Sequence, residues 1–181
     1  MPRNVEIKAI LKDREAVLAA VANRSDGPPE TIVQHDFFFP CSEGRLKLRM
    51  FERGRGELIR YEREDVAGAR SSSYQIARTP DPEVLLDILT QALGRLGEVK
   101  KTRILYLIGQ TRVHIDRVEG LGDFLELEVV LRPEQSEDEG KQIAEELLTE
   151  LGIEKNRVIA EAYIDLLARQ TSHPSAFSCA Q

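Results

Sequence analysis

The sequence has little of several residue types, and each shortage excludes a class of protein. Only two of the 181 residues are cysteines, Cys41 and Cys179, and they lie far apart. This excludes a disulfide framework and a cysteine-based zinc site, and it indicates a reducing compartment. Tryptophan is absent and only 6% of the residues are aromatic, which argues against a nucleic-acid surface built on base stacking.

The sequence also lacks long apolar runs and an excess of positive charge. No apolar stretch approaches the ~20 residues of a membrane span, and residues 1–6 lack the apolar core of a signal peptide. The 25 Lys and Arg residues against 31 Asp and Glu residues give a net charge of -6, which disfavours binding to nucleic acid or to an anionic membrane surface. We therefore expect a cytoplasmic protein with neither nucleic acid nor membrane as a partner.

The spacing of apolar residues, turns and helix caps predicts an α+β protein. Alternation of period two predicts about eight short strands, most of them joined by tight turns such as Gly109-Gln110, so the sheet should be antiparallel. Four helices are predicted, one of them opened by a capping box of Ser136 and Glu139 and the last spanning 158–169. We expect one domain over residues 1–170 and a disordered tail over 171–181.

The polar faces of the predicted strands are rich in charge: three strands carry paired cations and another carries paired carboxylates. Their opposite faces are apolar enough to pack under helices. One interpretation is a solvated outer sheet face with cross-strand ion pairs. The other is a closed or nearly closed eight-stranded antiparallel barrel with helices outside and charges inside. A lumen with cations on one wall and carboxylates on the other would suit a polyanion and a divalent metal ion.

Eight motifs, in order, extend this interpretation. They are Val5-Glu6-Ile7-Lys8, Gln34-His35-Asp36-Phe37-Phe38-Phe39, Gly44-Arg45-Leu46-Lys47-Leu48-Arg49, Leu58-Ile59-Arg60-Tyr61-Glu62-Arg63, Val99-Lys100-Lys101-Thr102-Arg103, His114-Ile115-Asp116, Gly120-Leu121-Gly122-Asp123-Phe124-Leu125-Glu126-Leu127-Glu128 and Ala162-Tyr163-Ile164-Asp165-Leu166-Leu167. Together, over residues 2 to 169, the chain resembles the CYTH superfamily, the triphosphate tunnel metalloenzymes, and especially the class IV adenylyl cyclase-like branch. The resemblance implies an eight-stranded tunnel that acts on a triphosphate with Mg²⁺ or Mn²⁺.

The resemblance also implies roles for individual residues. Glu6, Glu126 and Glu128 would hold the metal ion, and Glu6, Lys8 and Asp116 would take part in catalysis. Asp116 could act beside the metal or orient a lumen Lys or Arg. The phosphate-binding set would be Lys8, Lys47, Arg49, Arg63, Lys101, Arg103 and Arg112. His114 is either a general base or a polar wall residue, and Glu161 either closes one tunnel end or is a surface charge.

One residue departs from the pattern of this family. The family begins its first strand with Glu-x-Glu-x-Lys, whereas this chain has Asn4-x-Glu6-x-Lys8. An Asn side chain supplies a neutral oxygen but no charge. Whether the tunnel holds one or two metal ions therefore stays open.

Three functions fit these expectations. The favoured one is metal-dependent hydrolysis of a short triphosphate, such as tripolyphosphate, thiamine triphosphate or a nucleoside triphosphate. The first alternative is cyclisation of ATP to cAMP and pyrophosphate, and the second is a non-catalytic polyphosphate- or nucleotide-binding module. The partner in each case is a small triphosphate, and the protein could be a monomer or a homodimer.

Overall fold

The computed structural model describes residues 3–52, 54–63 and 68–172. This part of the chain alternates strands with a few helices. In order, the elements are β1 Arg3–Ile10, α1 Arg14–Ala22, β2 Glu30–Phe39, β3 Arg45–Phe51, β4 Arg55–Arg63, β5 Arg70–Thr79, α2 Pro82–Leu93, β6 Gly97–Ile108, β7 Thr111–Val118, β8 Gly122–Val130, α3 Glu137–Glu150, a short 3₁₀ helix Lys155–Arg157, β9 Val158–Ile159 and α4 Tyr163–Ser172.

Eight of these strands close into an antiparallel barrel. The neighbours run β5-β4-β3-β2-β6-β7-β8-β1, and β5 pairs again with β1, for example at Asn4 and Ser72. Closure satisfies the backbone groups that an open sheet would leave at its two edges. The predicted fold class, an α+β protein built on a closed eight-stranded barrel, is confirmed.

The last predicted helix is wrong in its first part. Residues 158 and 159 form β9, which pairs with Ala9 and Lys8 of β1, and the helix begins only at Tyr163. The physical reason lies in β1, because β5 covers its edge only over residues 3–6. The backbone groups further along that edge need partners, and β9 supplies them.

The hydrophobic core lies between the barrel and the helices. Val5, Ile7 and Ala9 of β1 point outward and are buried with residues of α1 and α3. Phe37 and Phe39 pack against leucines of α2, which confirms that the Phe37–Phe39 run is core. Because strand side chains alternate, the residues between these apolar positions point into the barrel.

Local signals fix where the helices begin. The Asp13 side chain accepts a hydrogen bond from the Ala16 amide at 3.0 Å, and the predicted capping box of Ser136 and Glu139 opens α3. Within α3, a Cβ at Gly140 would lie 2.5 Å from Leu131 Cδ2, so this glycine lets the helix approach the sheet closely.

Two expectations concern parts of the chain beyond these elements. The tail predicted for 171–181 begins inside α4, and residues 173–181 lie outside the described residues. No helix within residues 3–52, 54–63 and 68–172 is long and apolar enough to cross a membrane.

Candidate active site

A cavity of about 680 Å³ fills the interior of the barrel. Most of the residues predicted to form the site line it, and they come from strands on all sides. These lining residues are Glu6, Lys8, Lys47, Arg49, Lys101, Arg103, Arg112, Glu126 and Glu128. Asp116 is fully buried behind the wall, while the side chain of Arg63, at the end of β4, lies outside the described part of the structure.

The first cationic cluster consists of Asp36, Lys47 and Arg49, called the Asp36 cluster below. Asp36 on β2 accepts hydrogen bonds from Lys47 Nζ at 2.8 Å and from Arg49 Nε and Nη2, each at 2.8 Å. Burial by itself raises the pKa of Asp36, but Arg49 and Lys47 outweigh burial and hold this pKa far below its usual value. Burial, reinforced by Arg49, lowers the pKa of Lys47 to about 7 although Asp36 opposes this shift.

The second cationic cluster consists of Asp116, Lys101 and Arg103, called the Asp116 cluster below. Asp116 on β7 accepts hydrogen bonds from Lys101 Nζ at 3.0 Å and from Arg103 Nε and Nη2, each at 2.7 Å. Burial opposes ionisation of Asp116, but Arg103 and Lys101 lower its pKa well below the ordinary value. Burial and Arg103 lower the pKa of Lys101. Of the two roles considered for Asp116, these contacts fit that of a partner that orients lumen cations.

The facing wall carries carboxylates. Glu6 on β1 lies directly opposite Glu128 on β8, and Lys8 lies opposite Glu126. Arg103 Nη2 donates to Glu126 Oε2 at 3.1 Å, and Arg112 Nη1 donates to Glu128 Oε2 at 3.3 Å. Burial raises the pKa of Glu126 by itself, but the nearby cations, Lys8 foremost, lower it far more. Glu126 is therefore ionised at neutral pH.

Asn4, the residue that departs from the family pattern, is fully buried beside this wall. Its Nδ2 donates a short hydrogen bond to Glu128 Oε1. Its Oδ1 has no hydrogen-bond partner among the described residues. Asn4 therefore acts on the wall by orienting Glu128 rather than by adding a charge.

His114 is a neutral part of the same wall. It is buried, and burial together with Arg103 lowers its pKa well below the ordinary value. Its Nε2 lies 3.8 Å from Glu128 Oε2, and its Nδ1 has no hydrogen-bond partner in the described structure. The ring therefore brings no positive charge to the cavity at neutral pH.

The start of α4 closes one end of the cavity. Ala162 and Tyr163 line this end, and the Tyr163 hydroxyl donates to Asp116 Oδ2 at 3.0 Å. Lys8 Nζ lies 4.0 Å from the centroid of the Tyr163 ring, within the range of a cation–π contact. Glu161 does not line the cavity and instead accepts a hydrogen bond from Arg169 at 2.7 Å. Of the two roles considered for Glu161, this contact fits that of a surface charge.

The carboxylate wall fits a divalent metal ion in one respect. Two like charges directly opposite each other on neighbouring strands are unfavourable, and Glu6 and Glu128 stand in this relation. Within the described part of the chain, no group of three or more His, Cys, Asp or Glu side chains is arranged to hold a metal ion. Mg²⁺ commonly uses one or two carboxylates together with water and substrate phosphate oxygens, and the wall matches that smaller set.

Sequence reasoning missed the roles of Asp36 and Tyr163. Asp36 stands inside an aromatic-rich strand, in phase with the lumen residues Gln34 and Phe38. A carboxylate at such a position was a usable signal, because a buried charge needs a partner. Tyr163 offered no local signal, since only the fold brings the start of α4 to Asp116.

Comparisons with known proteins agree with this architecture. Residues 2–163 match the family profile of the CYTH domain. The chain is 25% identical over 170 residues, 88% of this chain and 85% of the relative, to a protein of Aeromonas hydrophila named adenylate cyclase CyaB.

Two solved structures have the same fold at low sequence identity. One is a conserved hypothetical protein of Pyrococcus furiosus, with a TM-score of 0.80, 23% identity and coverage of 90% of this chain and 99% of that chain. The other is a Hippeastrum protein described as a candidate adenylyl cyclase that reveals a dominant triphosphatase activity, with a TM-score of 0.65, 15% identity and coverage of 95% and 96%. With the profile match spanning nearly the whole chain, the protein belongs to the CYTH family, whose members are metal-dependent enzymes that act on triphosphates.

Proposed function

We propose that this protein hydrolyses a short triphosphate inside the tunnel with the help of Mg²⁺ or Mn²⁺. One observation carries the proposal. The directly opposed Glu6 and Glu128 share a single cavity with the four cations of the two clusters, Lys47, Arg49, Lys101 and Arg103. A triphosphate with a bound divalent cation presents the complementary charges, anionic oxygens to the clusters and a cation to the carboxylates.

The two cationic clusters bind and orient the phosphate chain. Asp36 and Asp116 fix the directions of the Lys and Arg side chains before substrate arrives, and this preorganisation lowers the cost of ordering them on binding. Lys8 reaches the carboxylate wall beside Glu126 and would place a positive charge near the phosphates. Arg112 donates a hydrogen bond to Glu128. To bind phosphate as well, Arg112 must either give up this contact or use its other N–H groups. Arg63 stays a prediction from the family resemblance.

The metal ion would be held by Glu128 and Glu6, with Glu126 beside them. When bound, it would polarise phosphoryl oxygens and neutralise the charge that develops on them. The protein's own residues hold the phosphate chain in line for attack by water. The bond from phosphorus to its bridging oxygen breaks, the water oxygen joins the released phosphate, and the water proton passes to solvent or to a nearby carboxylate.

Cyclisation of ATP is the second candidate function. The name of the Aeromonas relative favours it, and the same phosphate contacts would serve it. It further requires a base for the 3′-hydroxyl proton. Hydrolysis requires only the phosphate contacts, a metal ion and water, and we therefore place it first.

The test is a product analysis. The protein is incubated with ATP, tripolyphosphate or thiamine triphosphate, each with Mg²⁺ or Mn²⁺, and the products are identified by phosphorus NMR. We expect phosphate and the corresponding diphosphate. If ATP gives chiefly cAMP and pyrophosphate while tripolyphosphate stays intact, cyclisation replaces hydrolysis as the proposed activity.

Variants then test the carboxylate wall. Glu126→Gln and Glu128→Gln are near-isosteric, and each should lower kcat at least about a hundredfold, in line with the loss of a preorganised electrostatic contact. Glu134→Gln, which alters an exposed residue, is the matched control and should retain full activity. Unchanged turnover in both lumen variants would contradict the metal assignment.

A further inference from the structure

A neutral amide side chain stands among the charged residues of the cavity. Gln34, in the middle of β2, lines the cavity and is only 4% exposed. Its Oε1 is buried and has no hydrogen-bond partner among the residues that the structure describes. Because the oxygen is buried, the amino group is the end of the amide that is left to face the cavity.

Gln34 lies where the two cationic clusters meet. On one side of β2, the neighbouring strand β3 carries Lys47 and Arg49, and Asp36 stands directly opposite Arg49. On the other side, Gln34 stands directly opposite Lys101 of β6. Side chains two residues apart on a strand share a face, so Gln34 and Asp36 both point into the barrel. A ligand that contacts both clusters therefore lies beside Gln34.

The two clusters repel each other across this position. Burial is the main cause that lowers the pKa of Lys101, and Arg49 of the other cluster lowers it further. Burial is also the main cause for Lys47, and Lys101 again contributes to the lowering. A further cation at position 34 would increase this repulsion. A neutral amide can donate N–H groups to an anion at the same place without adding charge.

The stability of the fold does not explain a glutamine at position 34. A buried acceptor without a donor is unfavourable, and native proteins satisfy nearly all groups of this kind. A methionine side chain of similar length would fill the same space without an unpaired oxygen. A polar side chain that is retained in a cavity wall despite this penalty indicates a contact with a ligand.

We propose that Gln34 binds the phosphate chain of the substrate at the point where the chain passes from one cationic cluster to the other. This inference rests on the proposed function. The two N–H groups of Nε2 donate to phosphate oxygens, and donors to charged acceptors form strong hydrogen bonds. The contact favours a chain long enough to reach both clusters, because a single phosphate ion fills only one of them. Gln34 is thus a substrate-binding residue that selects for chain length.

Gln34→Met tests this contact, because it removes the N–H donors and nearly keeps the volume. Calorimetric titration without a divalent cation measures binding in the absence of turnover. The affinity for tripolyphosphate should fall at least about tenfold, the effect of one hydrogen bond to a charged group, while the affinity for orthophosphate should change little. In urea, the variant should be at least as stable as the unmodified protein, because the unpaired oxygen is gone.

A second variant and a matched control complete the test. Gln34→Glu is near-isosteric, and the cations around it should keep it folded. Its carboxylate repels phosphate, so it should weaken tripolyphosphate binding more than Gln34→Met does. The control is Gln110→Met, since Gln110 does not line the cavity and its Nε2 donates to Val130 O at 2.8 Å and to Gln135 Oε1 at 2.7 Å. This control should lose stability and bind tripolyphosphate normally, the reverse of Gln34→Met.

The outcomes separate failure of this contact from failure of the proposed function. Unchanged tripolyphosphate affinity in both Gln34 variants, an equal loss for orthophosphate, or a stability loss as large as that of Gln110→Met would each overturn the role of Gln34. Hydrolysis by the unmodified protein would leave the proposed function standing in all three cases. If the unmodified protein hydrolyses no triphosphate, the proposed function fails, and weaker tripolyphosphate binding by the variants still supports Gln34. Absence of tripolyphosphate binding to the unmodified protein would overturn the role of Gln34 as well.

Discussion

The Asp36 and Asp116 clusters have the same composition but different surroundings. In each, a Lys-x-Arg pair on one strand meets an Asp on a neighbouring strand, and the Arg binds it through two nitrogens. The Lys47 and Arg49 side chains are each 14% exposed, whereas those of Lys101 and Arg103 are 4% and 8% exposed. Asp116 also accepts from Tyr163, and Arg103 also donates to Glu126.

This difference separates two tasks that similar residues perform. The Asp116 cluster joins the barrel to α4 and to the carboxylate wall, so its charges are held by the protein from several sides. Among the described residues the Asp36 cluster has no such link to α4, and its Lys and Arg side chains are more exposed to the cavity, where a ligand can alter their protonation. The Asp116 cluster is therefore the more structural of the two, and the Asp36 cluster is the more responsive.

Removing the charge of each aspartate should give the largest measurable difference between the two clusters. Asp116→Asn leaves Lys101 and Arg103 buried without their shared counter-charge, and we expect a loss of about 3–5 kcal/mol in the free energy of unfolding. Asp36→Asn should cost about 2 kcal/mol, because solvent in the cavity reaches its partners more easily. Urea denaturation measures both. Equal losses would show that the extra contacts of Asp116 contribute nothing to stability.

Lys47 should make phosphate binding depend on pH. Its pKa of about 7 in the free protein rises when an anion binds, so binding takes up a proton and affinity falls as pH increases above 7. The fall contributed by Lys47 should approach tenfold, about 1.4 kcal/mol, per pH unit. Calorimetric titration with tripolyphosphate and Mg²⁺ between pH 7 and pH 9 measures it.

The control for this prediction is Lys47→Arg, which stays charged over the whole range. The variant should bind with a flatter pH profile, and subtraction removes the titration of the ligand itself. Parallel profiles would contradict the low pKa. The sign for folding is opposite: because the pKa lies below its ordinary value of 10.5, the contribution of Lys47 to stability rises between pH 7 and about 10.5.

Tyr163→Phe should give the smallest loss of stability, and it measures how much the hydroxyl contact adds to the Asp116 cluster. It removes the hydroxyl that donates to Asp116 but keeps the ring beneath Lys8. We expect a loss of about 1 kcal/mol in unfolding free energy, seen by denaturation, and little change in the pH profile that Lys47 controls. A loss as large as that of Asp116→Asn would mean that the hydroxyl contact, rather than the ion pairs, holds the cluster together.

Alternation along the strands determined much of this protein. The sequence by itself places Lys47 and Arg49, Lys101 and Arg103, and Glu126 and Glu128 on single strand faces. The opposite faces are apolar and need cover, which is compatible with charged faces that point either to solvent or into a barrel, and the structure shows that they point inward. Period two is a local property of an extended chain, and it survives folding unchanged. The helix caps at Asp13 and Ser136 could also be predicted from the sequence, because each depends on a contact between residues only three apart.

Only the tertiary structure decided which charges meet. Asp36 and Lys47 are 11 residues apart, Lys101 and Asp116 are 15 apart, and Tyr163 and Asp116 are 47 apart. Their contacts depend on strand register and on where α4 crosses the barrel end, which no local pattern encodes. Local spacing fixed the faces, and closure of the barrel determined the site, because register places residues far apart in the chain side by side.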